Sequence, residues 1–358
     1  MSSQSWDERT PTTAVDGGFA VPDGLDRDLL SMAREGRLTG IRSTRVDLVQ
    51  DWLDRGLSAE ETCCHLSAYN RSVILAVLEA HAEEHSWLRS CAFLEFGSGG
   101  RDEQVVGSDQ DNGLLLRGVA EPGDLDDVTQ SIVVALDGAG IPLCDGGVMI
   151  SNPQWRGDFD AWLERLTGWL SNPAERGIWQ SGLILDFKAV FGASEEAALL
   201  REHVWKYVRT KPIALSLLIG ELTDYRLPLT FFGAFVTEKD VPWHGFLNLK
   251  KSILAHLTNG ARILALKYGL SAHGTCDRLR GLMAAGHISD RHGGQLLDGW
   301  EYLQRKRLEI GLDCVRAGAP PHGWVKPSAL ARDERERLKE AIHAVDKFIH
   351  LIQSGVGL

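Results

Sequence analysis

Phe96-Gly97-Ser98-Gly99-Gly100-Arg101-Asp102-Glu103-Gln104, followed by Ser108-Asp109-Gln110-Asp111, is the stretch that decides the fold of this chain. Immediately before it, Ala92-Phe93-Leu94-Glu95-Phe96 is a short apolar run ended by glycines, the pattern of a buried strand. A strand that runs into Gly-Ser-Gly-Gly lets backbone N–H groups approach phosphate closely, because glycine has no Cβ in the way. Gly97, Ser98 and Gly99 are therefore candidate nucleotide-binding residues, and Arg101 adds a forked donor for phosphate. Ser98 read as a plain turn residue, or Arg101 paired with Glu103 to hold the loop, are the structural alternatives.

Asp109 and Asp111 stand two residues apart, so on an extended segment both project from one face. Two carboxylates so placed suit a hard divalent cation that also binds phosphate oxygens. A third acid on a neighbouring strand completes a two-metal clamp on phosphoryl displacement. Asp186 is the candidate: it is an isolated acid in the apolar run Leu183-Ile184-Leu185-Asp186-Phe187 and needs a cation or a partner. A salt bridge to Lys188 or to an arginine is the rival account of Asp186. A lone Asp-x-Asp is more often a polar turn; the glycine loop at fixed distance is what raises it above that.

Outward from this centre the rhythm is mostly helical. Upstream, Ile41 to Leu53 and Val73 to Leu78 carry apolar residues at three-to-four spacing, and Ser58 with Glu61 forms a capping-box pattern. Gly113 to Leu116 reads as a second strand, Val128 to Leu136 as a helix and Leu183 to Phe187 as a third strand. Beyond residue 194 the expected elements are helices: Glu195–Val208, Pro212–Tyr225, Leu247–Tyr268, Asp290–Ile310 and Asp333–Ile352. The expected architecture is α+β, with a small mixed-sheet core between a helical lead and a helical-bundle C-terminal domain. The boundaries expected are a disordered tail over 1–22, a helical region over 23–88, the core over 89–210 and the bundle over 211–358.

Composition narrows the function classes. A chain of 358 residues exceeds the usual size of a single core, so more than one domain is expected. The formal net charge of −11 makes a nucleic-acid partner unexpected, since phosphate backbones attract basic surfaces. No apolar run is long enough to cross a bilayer, and the polar N-terminus has no secretion signal, so no membrane and a cytoplasmic location are expected. The six cysteines lack paired Cys-x-x-Cys spacing and read as buried thiols. The glycine pattern puts Asp102 where a dinucleotide fingerprint needs glycine or alanine, and no P-loop occurs. His81-Ala82-Glu83-Glu84-His85 has the form of an inverted zinc-peptidase motif, but it lies in a charged stretch that reads as a solvated face.

Gly97-Ser98, ten intervening residues and Asp109-x-Asp111 resemble the signature of the nucleotidyltransferase superfamily. The closer resemblance is to the bacterial DUF294 family, which is similar to the uridylyltransferases of nitrogen signalling. It extends to Gly146-Gly147-Val148-Met149-Ile150-Ser151-Asn152-Pro153-Gln154-Trp155-Arg156-Gly157, to Leu185–Gly192 and to Ala261–Leu266. It implies a transferase that moves a nucleoside monophosphate from ATP or UTP to a hydroxyl of a protein or small molecule, in signalling. It also implies Mg2+, with Mn2+ as alternative, on Asp109, Asp111 and Asp186, those three acids being catalytic, and a C-terminal substrate-binding domain. Members often carry fused regulatory domains upstream, where this sequence has a helical lead, and a regulatory partner protein is among the partners the resemblance allows. Asn248 stands where the family tends to have aspartate. A nucleotide-sensing module without turnover, or an interaction scaffold, are the alternatives from other classes.

Overall fold

The computed structural model describes residues 25–117, 122–171, 182–223, 226 and 228–355; the tail expected over 1–22 lies outside them. Helices α1 (Leu25–Arg34), α2 (Ile41–Asp54) and α3 (Ala59–Glu84) lead into strand β1 (Ala92–Phe96). The capping box opens α3: Ser58 Oγ accepts from Glu61 N–H at 3.1 Å, and Ser58 N–H donates to Glu61 at 2.8 Å. A single helical turn, α4 (Gly97–Gly100), follows β1 directly, and β2 (Asn112–Leu115), α5 (Leu125–Gly138), β3 (Arg156–Gly157), α6 (Phe159–Ser171) and β4 (Phe187–Gly192) complete the core.

The sheet order is β3-β2-β1-β4, with β1 antiparallel to β2 and β4 and β2 parallel to β3. The fold is thus α+β around a small mixed sheet. Side-chain alternation divides this sheet between two cores. Phe93, Leu114 and Leu116 pack with α3 and α5 through Val73, Val77, Ile132 and Leu136. Leu94, Phe96 and Leu115 face the other way, onto Trp155, Trp162 and the C-terminal helices. The third expected strand begins later than its apolar run suggested. Leu183 and Ile184 lie in a helical turn, and pairing starts at Phe187, opposite Phe96. An apolar run of this length is compatible with either state, and the sheet register decided between them.

After α7 (Ser194–Thr210) and α8 (Pro212–Thr223), a short pair of strands, β5 (Leu247–Asn248) and β6 (Trp324–Val325), brackets α9 (Ala255–Tyr268), α10 (Thr275–Ala284) and α11 (Asp290–Arg316); α12 (Arg332–Gly355) closes the chain. The helix expected from Leu247 is broken at its start: β5 is followed by a π-helical turn, Lys250–Leu254, before regular α9 begins. One apolar cluster runs from Leu94 and Trp162 through Leu200 and Val204 to Leu257, Phe348 and Ile352, so the sheet and the bundle share a core. Among the described residues no helix is long and apolar enough to cross a membrane.

Candidate functional site

The glycine turn α4 lies at the end of β1, held from beneath. Gly97 N–H donates to the backbone oxygen of Asp186 at 3.1 Å, and Phe96 N–H donates to that of Asp111 at 2.9 Å, which extends the sheet ladder to the aspartate. Gly97 has φ +57°, and a Cβ there would sit 3.0 Å from Asp111 Oδ2. At Gly100 a Cβ would lie 2.3 Å from the backbone oxygen of Asp186, and at Gly99 it would lie 2.2 Å from Glu95 Oε1. The glycines are therefore required by close approach on several sides. Asp102, also left-handed at φ +60°, is anchored by Arg71 at 2.5 Å and Lys188 at 2.6 Å. Aspartate tolerates that conformation better than most side chains.

Asp109 and Asp111 sit in the extended approach to β2. Gln110 between them points the opposite way, buried and donating to the carbonyls of Val133 and Ile141 at 3.2 Å each. The two acids therefore share a face, as period two requires. Asp109, Asp111 and Cys144 bring one ligand atom each within 4.8 Å of one another. Burial, and then the charge of Asp109, push the Asp111 carboxyl up to about 7 against the pull of Lys250 and Arg101. Lys250 Nζ lies 3.7 Å from Asp109 Oδ1. Two crowded carboxylates in a partly buried site are what a divalent cation relieves.

Asp186, expected as third metal ligand and catalytic acid, is engaged by arginines. Its carboxylate has no exposure and is taken up by three guanidinium groups. Arg101 donates to Oδ2 at 2.9 Å, Arg262 Nε to the same oxygen at 3.0 Å with a second contact from Nη2, and Arg278 to Oδ1 at 2.6 Å. Burial would raise this carboxyl, but the arginines override it and hold it far below the usual carboxylate range. Both oxygens accept from arginine, and Asp186 stands outside the ligand group of Asp109, Asp111 and Cys144. Arg101 also meets Glu103 at 2.7 Å, and Glu103 accepts from Thr275 N–H at 2.6 Å, at the start of α10. The structural reading of Arg101 with Glu103 is thus realised, while Arg101 still lines the cleft.

The opposite wall comes from the C-terminal helices. Ala255, Thr258, Asn259 and Arg262 form one face of α9, at the spacing of successive helical turns, and Gln304 and Arg307 of α11 stand beside them. With Gly97, Ser98, Arg101, Asp111 and Lys250 they enclose a single cleft. Arg307 donates from Nη1 to Gln304 at 2.7 Å, while its buried Nε meets no hydrogen-bond partner. Lys250 enters from the π-helical turn, a deviation frequent at functional sites. Asn248 accepts from Lys251 N–H at 2.8 Å, doing the capping work an aspartate would do there.

Two models of protein families match the chain. One described as "Putative nucleotidyltransferase DUF294" covers residues 44–176, and one described as "Putative nucleotidyltransferase substrate binding domain" covers residues 212–356. The chain belongs to the DUF294 nucleotidyltransferase family. The two matches place the glycine turn and Asp109–Asp111 in the first segment and the α9–α11 wall in the second. No curated protein matches the chain.

Two other motifs quoted from the sequence, Gly146–Gly157 and His81–His85, contribute scaffold contacts. Asn152 accepts from Gln154 N–H and donates to Gly147, shaping its loop, and buried Arg156 bonds Thr129 and pairs with Asp126. His81 bonds Val77 and Ser131, and His85, the helix cap, bonds Asp124 at 2.6 Å, so the peptidase-like pattern forms no ligand pair. Residues that sequence reasoning missed are Cys144, Glu95, Thr258, Asn259, Gln304 and Arg307. For Thr258-Asn259 the available signal was a polar step in an otherwise apolar helix. For Glu95 the signal was the one that marked Asp186, an isolated acid in an apolar run; for Cys144 and the α11 pair no local signal existed.

Proposed function

We propose that this family member transfers a nucleoside monophosphate from ATP or UTP to a hydroxyl of a protein or small-molecule acceptor, with Mg2+ or Mn2+ held by Asp109 and Asp111. One observation carries the reading: Asp111, grouped with Asp109, lines the same cleft as the glycine turn and a guanidinium-bearing helical wall. The oxygen donors of Asp109 and Asp111 fit a hard cation. Bound there, the ion would neutralise phosphate charge during an in-line displacement. The chain's own contribution is positioning and electrostatics. The amides of Ser98–Gly100 and the Ser98 hydroxyl hold phosphate oxygens. Arg101 and Arg262, kept in place by Asp186, and Arg307, through its free Nε–H, balance the triphosphate charge. The acceptor oxygen bonds to the α-phosphorus, the bond to the bridging oxygen breaks, pyrophosphate departs and the hydroxyl proton passes to solvent. The acidity of the chain as a whole favours a protein or small-molecule acceptor over nucleic acid.

A second reading, a nucleotide sensor without turnover, is favoured by one feature: Asp186 is saturated by arginines and leaves two carboxylates for metal. Calorimetric titration of ATP, UTP, CTP and GTP with Mg2+, together with a pyrophosphate-release assay, separates the two. Metal-dependent binding with release, both lost in the Asp109→Ala/Asp111→Ala variant, is the outcome expected for the transferase. Binding without release in the presence of candidate acceptors moves the protein to the sensor class. No binding of any nucleotide sinks both readings and leaves the scaffold.

A further inference from the structure

Cys144 has no part in nucleotidyl transfer, yet its thiol faces the two aspartates. It is nine-tenths buried, its Sγ belongs to the ligand group with Asp109 and Asp111, and it hydrogen-bonds the Asp111 carboxyl. The turn that carries it is built to hold a sulfur in place. Gly147 N–H donates to Cys144 O at 2.9 Å, and Val148 N–H donates to the Cys144 sulfur. Asn112 N–H donates to Val148 O at 2.9 Å, which ties the turn to the residue after Asp111. Burial, and then the charge of Asp111, push this thiol up to about 12, so a bound cation has to displace its proton.

Hard ions such as Mg2+ gain little from sulfur, whereas thiolate selects softer cations. We propose that Asp109, Asp111 and Cys144 form a three-ligand site for a thiophilic divalent cation of the zinc class, which excludes Mg2+ when it binds. The inference rests on the reading of Asp109 and Asp111 as metal ligands. Binding replaces the S–H bond by a sulfur–metal bond, and the proton goes to solvent; no electron changes hands. Two carboxylates and one thiolate leave a fourth position for water or a phosphate oxygen, so the site is an open one. The protein is therefore expected to be switched off by zinc while running on Mg2+ or Mn2+.

Cadmium, whose bond to thiolate absorbs in the ultraviolet, is the probe. Nucleotide-free full-length protein is titrated with Cd2+ alone, in wild type, Cys144→Ser, Asp111→Asn and Cys64→Ser, with thermal melts to verify folding. Expected are one cadmium–thiolate band per chain in wild type and in Cys64→Ser, and its loss in Cys144→Ser. In Asp111→Asn the affinity drops at least roughly tenfold, as loss of a ligand requires. A band that persists in Cys144→Ser, or is indifferent to Asp111→Asn, overturns the proposal, as does the absence of a band in wild type. Displacement of Mn2+ by Zn2+, read by the Mn2+ paramagnetic signal, should need at least roughly tenfold more zinc in Cys144→Ser. Cadmium binding with no nucleotide binding would remove the transferase reading and leave the thiophilic site standing.

Discussion

At Asp186 a single carboxylate balances Arg101, Arg262 and Arg278, all with little or no solvent around them. Removing one partner of a buried ion pair leaves uncompensated charge, which costs about 3–5 kcal/mol. Asp186→Asn is therefore expected to lose stability on that scale, measured as a fall in the urea midpoint, because Arg262 and Arg278 lose their counter-charge while Arg101 keeps Glu103. A metal-ligand role would instead leave the midpoint nearly unchanged and remove only Mg2+ affinity. His256 provides a pH-dependent counterpart. Burial pushes its imidazole from 6.5 down to about 4, so the folded protein keeps it neutral. Its contribution to stability is complete above 6.5 and is lost as pH falls toward 4, about 3 kcal/mol in all. Denaturation midpoints followed from pH 7 to 4 should fall in wild type and fall less steeply in His256→Leu.

The glycine turn α4 is the element on which the site depends, and its glycines are not equivalent. A methyl at Gly100 meets backbone, the Asp186 carbonyl at 2.3 Å, which can retreat only if β1 and the β4 approach separate. A methyl at Gly99 meets the Glu95 side chain, Oε1 at 2.2 Å and Cγ at 2.4 Å, with no backbone among its nearest atoms. Gly100→Ala is expected to cost about 1–3 kcal/mol, the usual range for forced overpacking, and Gly99→Ala less. Chemical denaturation ranks them directly. The prediction fails if Gly99→Ala proves the more damaging. Near α4, Glu95 of β1 is buried with both carboxylate oxygens lacking a hydrogen bond, and burial lifts its carboxyl to about 7. Arg71 lies 3.6 Å away and is shared with Asp102, so the turn is braced by charges whose pairing no local pattern announces.

On the scale of the whole molecule, the sheet and the helical bundle are joined by one apolar core, and the segment between turn and aspartates is pinned to α11. Val105 and Val106 pack with Leu308 and Leu312, and a Cβ at Gly311 would lie 2.9 Å from Val106 Cβ. The two family segments are expected to unfold together. Urea transitions followed by tryptophan fluorescence and by far-ultraviolet dichroism should coincide, since a shared core cannot open on one side alone. Separate transitions would show that the two segments are independently stable.

The sequence by itself determined the elements whose signal is local. β1, the capping box of α3, the α12 stripe and the shared face of Asp109 and Asp111 follow from apolar periodicity, side-chain chemistry and the strand repeat of two. Motif spacing placed the glycine turn before the acids for the same reason. What only the tertiary structure decided is which charges meet. Asp186 reads alike as a cation ligand or an ion-pair partner until Arg262 and Arg278 arrive from helices far along the chain. Cys144 is one thiol among six until its turn is fastened beside Asp111. Long-range electrostatic pairing depends on distances set by packing, and those distances are not written in any local window of sequence.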